Sequence, residues 1–247
     1  GMHSIWRTMS GASLVQRLVW PAGIAAAVGV TLPLIFYGHA SLLTSVASVI
    51  GLWVCAAALL DPLRKWVLRE GAPLTRAQIG MCLAHFGVGV FILGATFVSA
   101  YTVETEVSAR PGEHFQVGGY DFVFNGVKPV ESANYSAEEG EFEVRKGGRL
   151  VTKLATQQRV YRVQQTPTTE AAIDSRIGRD VFVALSKPVG DNAWAARIQV
   201  KPLIRFLWLG PLLMALGGIF AILDRRYRLA ARESTVPSRS AAATGST

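Results

Sequence analysis

The chain has 247 residues, half of them hydrophobic, with 17% charged and a formal net charge of +8. Its mean hydropathy is +0.31 and its pI about 9.9. A plain soluble globule and a disordered chain are excluded, because neither carries so little charge with so much apolar material. The location of the charge argues against nucleic-acid binding. Tyr101–Pro202 is neutral, with thirteen Lys/Arg and thirteen Asp/Glu, and the excess lies in short segments beside apolar runs. That pattern reads as membrane topology.

Four runs reach the roughly 20 apolar residues that a bilayer crossing needs. They are Leu18–Tyr37, Ser41–Leu60, Ile79–Ala100 and Leu203–Leu223. None holds Asp, Glu or Lys, and Arg205 sits at the edge of the fourth. Pro21 and Pro33 predict a kinked or irregular first helix. Gly23, Ala26, Ala27 and Gly29 allow a neighbouring helix to approach closely. Arg7 and Arg17 precede the first run, Arg64, Lys65, Arg69 and Arg76 lie between the second and third, and Arg225, Arg226, Arg228 and Arg232 follow the fourth. With an even number of crossings these segments share one side, which the positive-inside rule makes the cytoplasm.

The predicted fold is a polytopic α-helical membrane protein with four transmembrane helices and an inserted periplasmic β-rich domain. Its parts are a cytoplasmic N-terminus (1–17), three transmembrane helices (18–100) with a cytoplasmic loop at 61–78, and the periplasmic domain (101–202). A fourth transmembrane helix (203–223) and a disordered cytoplasmic tail (224–247) complete it. The expected location is a bacterial inner membrane.

Within 101–202, Tyr120, Phe122 and Phe124 alternate with smaller or polar residues in "GGYDFVFNGV". "EFEV" followed by "RKGGRL" reads as a strand and a hairpin turn. "QQRVYRVQ" and "RDVFVALS" read as further strands. "TEAAIDSRI" has no two-residue period and reads as a short helix. Short strands with glycine-rich turns predict a small barrel or sandwich.

Cys55 and Cys82 lie in different apolar runs and form no CxxC pair, which excludes a zinc ribbon. No glycine-rich phosphate loop and no Ser–His–Asp set is present. Of the four histidines, His3 is terminal, His39 falls in a short turn and His114 on a strand edge, all read as solvated side chains. His85 differs, because it lies inside the third apolar run. An imidazole in hydrocarbon needs a partner, and imidazole is also a common axial ligand of haem iron. A ligand and a structural hydrogen bond to a neighbouring helix fit equally well. Helical spacing puts Met81, Cys82, Val88 and Gly89 on the same side. Gly89 removes bulk beside the imidazole, which suits a flat macrocycle or a close-packed helix. At 1.5 Å per residue His85 lies roughly 9 Å inside the membrane, within reach of a quinol or a haem.

"GMCLAHFGVGVFILG" (Gly80–Gly94) resembles the histidine-bearing transmembrane helix of the CcmF family of cytochrome c-type biogenesis proteins. "FVFNGVKPV", "NYSAEEGEFEV", "TEAAIDSRIGRDVFVALSKP" and "AWAARIQVKPLIRFLWLGPLLMALGGIFAILDRRYR" extend the resemblance from about Arg17 to Arg228. The "LATQQRVY" segment departs from it, since the family more often has an acidic–basic pair before Arg-x-Tyr, around Gln157 and Gln158. The family's tryptophan-rich haem-handling segment and its other histidines have no counterpart here. The chain therefore looks like the C-terminal third of such a protein, either a truncated gene product or one piece of a split protein.

The resemblance implies a component of a haem lyase (cytochrome c synthetase), inactive by itself. The family takes haem from a CcmE-type chaperone and, with a CcmH-type thiol protein, helps attach it to the CxxCH thiols of apocytochrome c. It implies that His85 is one axial ligand of the iron of a membrane haem b, with Gly89 giving clearance and the second ligand supplied by an N-terminal counterpart. The remaining expected contacts are membrane lipid and quinol. Arg159 and "TEAAI", with Thr169 and Glu170, are the candidate functional surface of the β domain. The alternative is a cofactor-free membrane-anchored scaffold whose periplasmic domain binds partners.

Overall fold

The computed structural model describes residues 11–67, 69, 73–190 and 192–224, without the side chains of 11–14 and 17. Arg7, the Arg17 side chain, Arg225, Arg226, Arg228, Arg232, His3 and the tail from 225 onward lie outside the described residues.

Four helices among these residues are long and apolar enough to cross a membrane. They are α1 (Gly11–Tyr37), α2 (Leu42–Val67), α3 (Arg76–Tyr101) and α4 (Ile204–Ile222). α1 is assigned as one continuous helix through Pro21 and Pro33. Most side chains on all four face outward, as expected of helices whose solvent is lipid. The chain falls into two compact units, one of residues 1–93 with 208–247 and one of residues 94–207.

Glycines set how the helices meet. Lipid tails are as apolar as leucine, so helices associate in a membrane by close packing, for which small residues clear the way. On α3, Gly80 abuts Gly217 of α4, and a Cβ on Gly87 would lie 2.7 Å from the Gly210 carbonyl oxygen. Gly210 and Gly217 return the contact against Phe91 and Ala84. These glycines recur every seven residues on both helices, so each presents one seam to the other. In the second unit, a Cβ on Gly94 would lie 2.6 Å from the Leu207 nitrogen, at the next heptad step. α2 buries Thr44, Ser48, Gly51, Cys55 and Ala58 along a similar seam. Gly51 meets Leu93 and Ile92 of α3, while Gly29 of α1 meets Val49 of α2.

The start of α3 is capped twice. The Gln78 backbone N–H donates to the Thr75 hydroxyl (3.2 Å), and the Thr75 N–H donates to the Gln78 side-chain oxygen (3.1 Å). This reciprocal pair satisfies two of the amides that every helix start leaves open. A third, Ala77 N–H, donates to the carboxylate of buried Asp224, just beyond α4 (2.8 Å).

The β-rich unit consists of two antiparallel sheets. One has the order β1 (Val103–Ala109), β9 (Ala193–Pro202), β8 (Arg179–Gly190), β7 (Ala172–Arg176). The other runs β2 (His114–Val117), β3 (Tyr120–Glu131), β4 (Tyr135–Lys146), β5 (Arg149–Tyr161), β6 (Pro167–Glu170). Period-two alternation builds the core between them. Phe122, Phe124, Phe142, Val144 and Leu154 point in from the five-stranded sheet, and Val181, Val183, Leu185, Ile198 and Val200 from the other. The Phe124 and Phe142 rings lie 4.7 Å apart. Two hairpins turn on glycine pairs, Gly118–Gly119 and Gly147–Gly148, all four with positive φ. Val117 pairs with Tyr120 and Lys146 with Arg149 across these two-residue turns, which need left-handed backbone at both positions.

The segment "TEAAIDSRI" is not a helix. It holds the end of β6 and all of β7, separated by Ala171, where the chain passes from one sheet to the other. The passage resets the side-chain phase, and this reset hides the alternation from a reading of the string. Buried Thr156 fastens the corner: its hydroxyl donates to the Glu170 carbonyl (2.7 Å) and accepts from the Leu185 N–H of β8 (3.1 Å).

Candidate functional site: an open histidine face and the outer faces of the sandwich

His85 sits in the middle of α3 with its side chain exposed. Its Nδ1 lies 2.8 Å from the Met81 carbonyl oxygen, one turn earlier. A carbonyl only accepts, so Nδ1 carries the proton and Nε2 keeps its lone pair. Nε2 has no partner among the described residues. The imidazole is therefore oriented and held in one tautomer by its own helix, as a metal-binding histidine is by a hydrogen bond to its second nitrogen.

The helix seams explain why this face is open. Gly80 and Gly87 take the side toward α4, and Cys82, Gly89 and Val90 are buried on other sides. The stripe Gln78, Met81, His85, Val88 and Ile92, spaced three and four residues apart, contains no buried residue. The imidazole thus stands on an open stripe with Met81, Val88 and Ile92 beside it and Gln78 at its end, and its Nε2 lone pair is available to a ligand. Among the described residues no group of three or more His, Cys, Asp or Glu assembles a metal site.

Of the two clearings open to Gly89 in the sequence, the structure shows the one for a close-packed helix. A Cβ there would run into Cys55 Sγ and lie 2.7 Å from the Gly51 carbonyl of α2. The Cys55 thiol also reaches the Phe86 carbonyl at 3.8 Å. The missing side chain thus makes room for α2.

Arg159 lies on the outer face of the five-stranded sheet, stacked 4.6 Å over the Tyr135 ring. Its Nε donates to the Gln157 oxygen (2.7 Å), and its guanidinium lies 3.4 Å from the Glu170 carboxylate. Gln157 donates in turn to Glu139 (2.6 Å), which pairs with Lys128 at 2.9 Å. Gln157 thus relays between an acid and a base, at the place where the sequence departs from the family pattern. A hydrogen bond with Tyr161 holds the Arg159 guanidinium above its ordinary range. Bonds from Gln157 and then Lys128 hold the Glu139 carboxyl below its own. On the same face Lys153 and Arg145 push Glu143 down to about 2. Each charge on this face has its counter-charge, so the face is a cross-strand ladder.

Thr169 is exposed and belongs elsewhere. It borders a groove of about 410 Å³ with Glu106, Phe182, Ala184, Ala195 and Arg197, which share the outer face of the four-stranded sheet. The candidate surface named from the sequence is therefore split: Arg159 and Glu170 pair on one face, and Thr169 borders the other. His39 and His114 bond locally, to the Tyr37 carbonyl (2.9 Å) and the Asp121 carboxylate (3.0 Å). The sequence reading did not single out Thr156, Glu139 or Glu143. Their partners come from neighbouring strands, and only strand pairing brings them together.

Comparison with known proteins agrees with this architecture. Residues 100–202 match the family described as the CcmF C-terminal β-sandwich. The cytochrome c-type biogenesis protein CcmF of Pseudomonas aeruginosa is 36% identical over 228 residues, covering 91% of this chain and 35% of that protein. The cytochrome c-type biogenesis protein ccl1 of Rhodobacter capsulatus is 36% identical over 241 residues, covering 96% of this chain and 37% of the relative. A solved structure named cytochrome c heme lyase CcmF superposes with a TM-score of 0.72 at 24% identity, over 91% of this chain and 37% of that one. The chain thus spans about a third of the length of the curated relatives it matches. In sequence and in fold the chain is similar to the C-terminal portion of CcmF, and its residues 100–202 match the CcmF C-terminal β-sandwich family.

Proposed function

We propose that this chain forms the C-terminal part of a CcmF-type haem lyase and contributes His85 as one axial ligand of a membrane haem b. The observation that carries the proposal is the His85 geometry. Nδ1–H is tied to Met81, and Nε2 is free on the open stripe of an apolar helix. In hydrocarbon no water donates to the Nε2 lone pair, which costs free energy unless a hydrogen-bond donor or a metal takes it up. The Met81 bond raises the electron density at Nε2 and fixes the direction of its lone pair. The glycine seams hold α3 close to α2 and α4, so the ligand stands on a rigid support. When bound, a bis-imidazole haem supplies one-electron transfer, suited to keeping an incoming haem iron reduced. The second imidazole comes from the part of the protein that precedes this region in the longer relatives.

The same proposal places the β-sandwich in the periplasm and the 61–78 loop in the cytoplasm, within a bacterial inner membrane. The excess of Arg and Lys in the short segments supports that orientation. The sandwich would then shape the surface where a haem chaperone, a CcmH-type thiol protein and apocytochrome c meet. The groove beside Thr169 is its open concavity, whereas the Arg159 ladder is already self-paired.

The test is a reduced-minus-oxidised optical spectrum of membranes carrying this chain together with its N-terminal counterpart, beside His85→Ala. A b-type signal lost in His85→Ala and retained in His39→Ala is expected. A b-type signal of equal size in His85→Ala would overturn the assignment. No signal in any combination would favour the cofactor-free scaffold, with His85 as a structural hydrogen-bonding residue.

A further inference from the structure

We propose that the ends of α2 and α3 joined by residues 68–75 bind the headgroup of an anionic phospholipid, through Arg64, Lys65, Arg76 and the ridge Leu63–Trp66–Val67. The inference rests on the membrane-spanning reading of the helices and is independent of the haem ligand. The apolar run of α2 ends at Leu60, but the helix continues to Val67. Seven further residues at 1.5 Å each carry it about 10 Å past the hydrocarbon edge, which is headgroup depth.

The composition of those two turns is specific. Leu63, Trp66 and Val67 lie three and four residues apart on one side, 51%, 87% and 61% exposed. Trp66 is more exposed than Trp20 (78%), Trp208 (75%) and Trp53 (38%). An apolar ridge led by tryptophan is costly in water and favourable at the boundary between headgroups and acyl chains. Arg64 and Lys65 flank the ridge, and Arg76 opens α3 at the other end of the short connection. None of the three forms an ion pair with a described residue. Segment 61–76 holds Arg64, Lys65, Arg69 and Arg76 against Asp61 and Glu70, a net of +2. Asp224, the nearby carboxylate beyond α4, is engaged by the Ala77 N–H. The cations thus stand at the level where lipid phosphates stand, and none of them is ion-paired among the described residues. Their long stems can lie along the helix while their heads reach the phosphate plane.

Spin-labelled lipids test this on the full chain reconstituted in phosphatidylcholine bilayers. The fraction of motionally restricted label is compared for phosphatidylglycerol and phosphatidylcholine probes. A cation near an anionic surface changes association by roughly fivefold, so a preference of about fivefold or more for the glycerol lipid is expected. It should shrink with added salt, as an exposed charge interaction does. In the variant R64Q/K65Q/R76Q the preference should fall to near one, while the restricted phosphatidylcholine shell stays at the wild-type level and reports correct insertion. Should the triple variant fail to insert, K65Q alone must still lower the preference. Equal association of both probes with the wild type overturns the proposal. So does an unchanged preference in the inserted variants. Loss of the preference on adding millimolar glycerophosphate overturns it too, because it marks a free-phosphate site. Absence of any restricted lipid, of either kind, would instead count against the membrane-spanning reading itself.

Discussion

At the scale of single residues, the side chains that matter most to the fold are polar groups with two obligations. Thr156 is wholly buried and serves two sheets at once: its proton goes to the Glu170 carbonyl, and its oxygen accepts from Leu185 N–H. Valine has nearly the same shape and none of this capacity. Thr156→Val leaves the part-buried Glu170 carbonyl and the buried Leu185 N–H without this partner, a buried group so left costing about 1–3 kcal/mol. The expected result is a β-sandwich destabilised by roughly 2–4 kcal/mol, given partial relaxation at a sheet corner. Chemical denaturation of the full chain in detergent, followed by the near-ultraviolet circular dichroism of the domain, checks it. Thr156→Ser keeps the hydroxyl and should recover most of the loss; equal destabilisation by both variants would show that the methyl, and not the bonding, matters there. His85 answers the same kind of obligation with one bond made, to the Met81 carbonyl, and one left open among the described residues, which is the opening the proposed haem ligation uses.

At the scale of elements, the helices are joined where side chains are missing. Gly87 faces the Gly210 carbonyl so closely that any Cβ must push α4 away. Gly87→Leu should therefore split the α3–α4 seam, whereas Val88→Leu, on the open stripe, should leave it intact. Limited proteolysis of the membrane-inserted chain reads this, with cleavage near the α4 terminus rising severalfold in Gly87→Leu alone. Equal protection of both variants would mean that the seam contributes little to the bundle. The existence of these helices was legible in the sequence, because twenty-odd residues without charge allow little else in a bilayer. The seams were only half legible. Glycines stood out in the third apolar run, but a string of letters does not say which neighbour fills the space. Gly89 accordingly stayed open between a flat macrocycle and a packed helix, and only the structure shows α2 against it. Among the strands, those with aromatic alternation were readable, as in Tyr120–Phe124. Those at the sheet-switching corner were not, because the period-two signal breaks where the chain changes sheets.

At the scale of the whole molecule, the question is what this portion can do without the rest. His85 is the one described imidazole on an apolar helix face, while His39 and His114 are bonded locally outside the helix interiors. Bis-imidazole ligation needs two such groups, and a single one leaves the second iron position to water or a weak ligand. The relatives are about three times as long, and the proposed haem site takes its second imidazole from that additional length. Haem titrated into the purified chain alone should therefore give a weak, mixed or high-spin spectrum. Adding the N-terminal counterpart should convert it to a low-spin, six-coordinate one. His85→Ala should block that conversion, although the helices and the β-sandwich remain folded. Tight low-spin binding by the chain alone would mean that two copies or another side chain complete the site, and the division of labour argued here would have to be redrawn. Lack of conversion with the counterpart would return His85 to a packing role, and the open stripe around it would then be the seat of a helix from the longer protein.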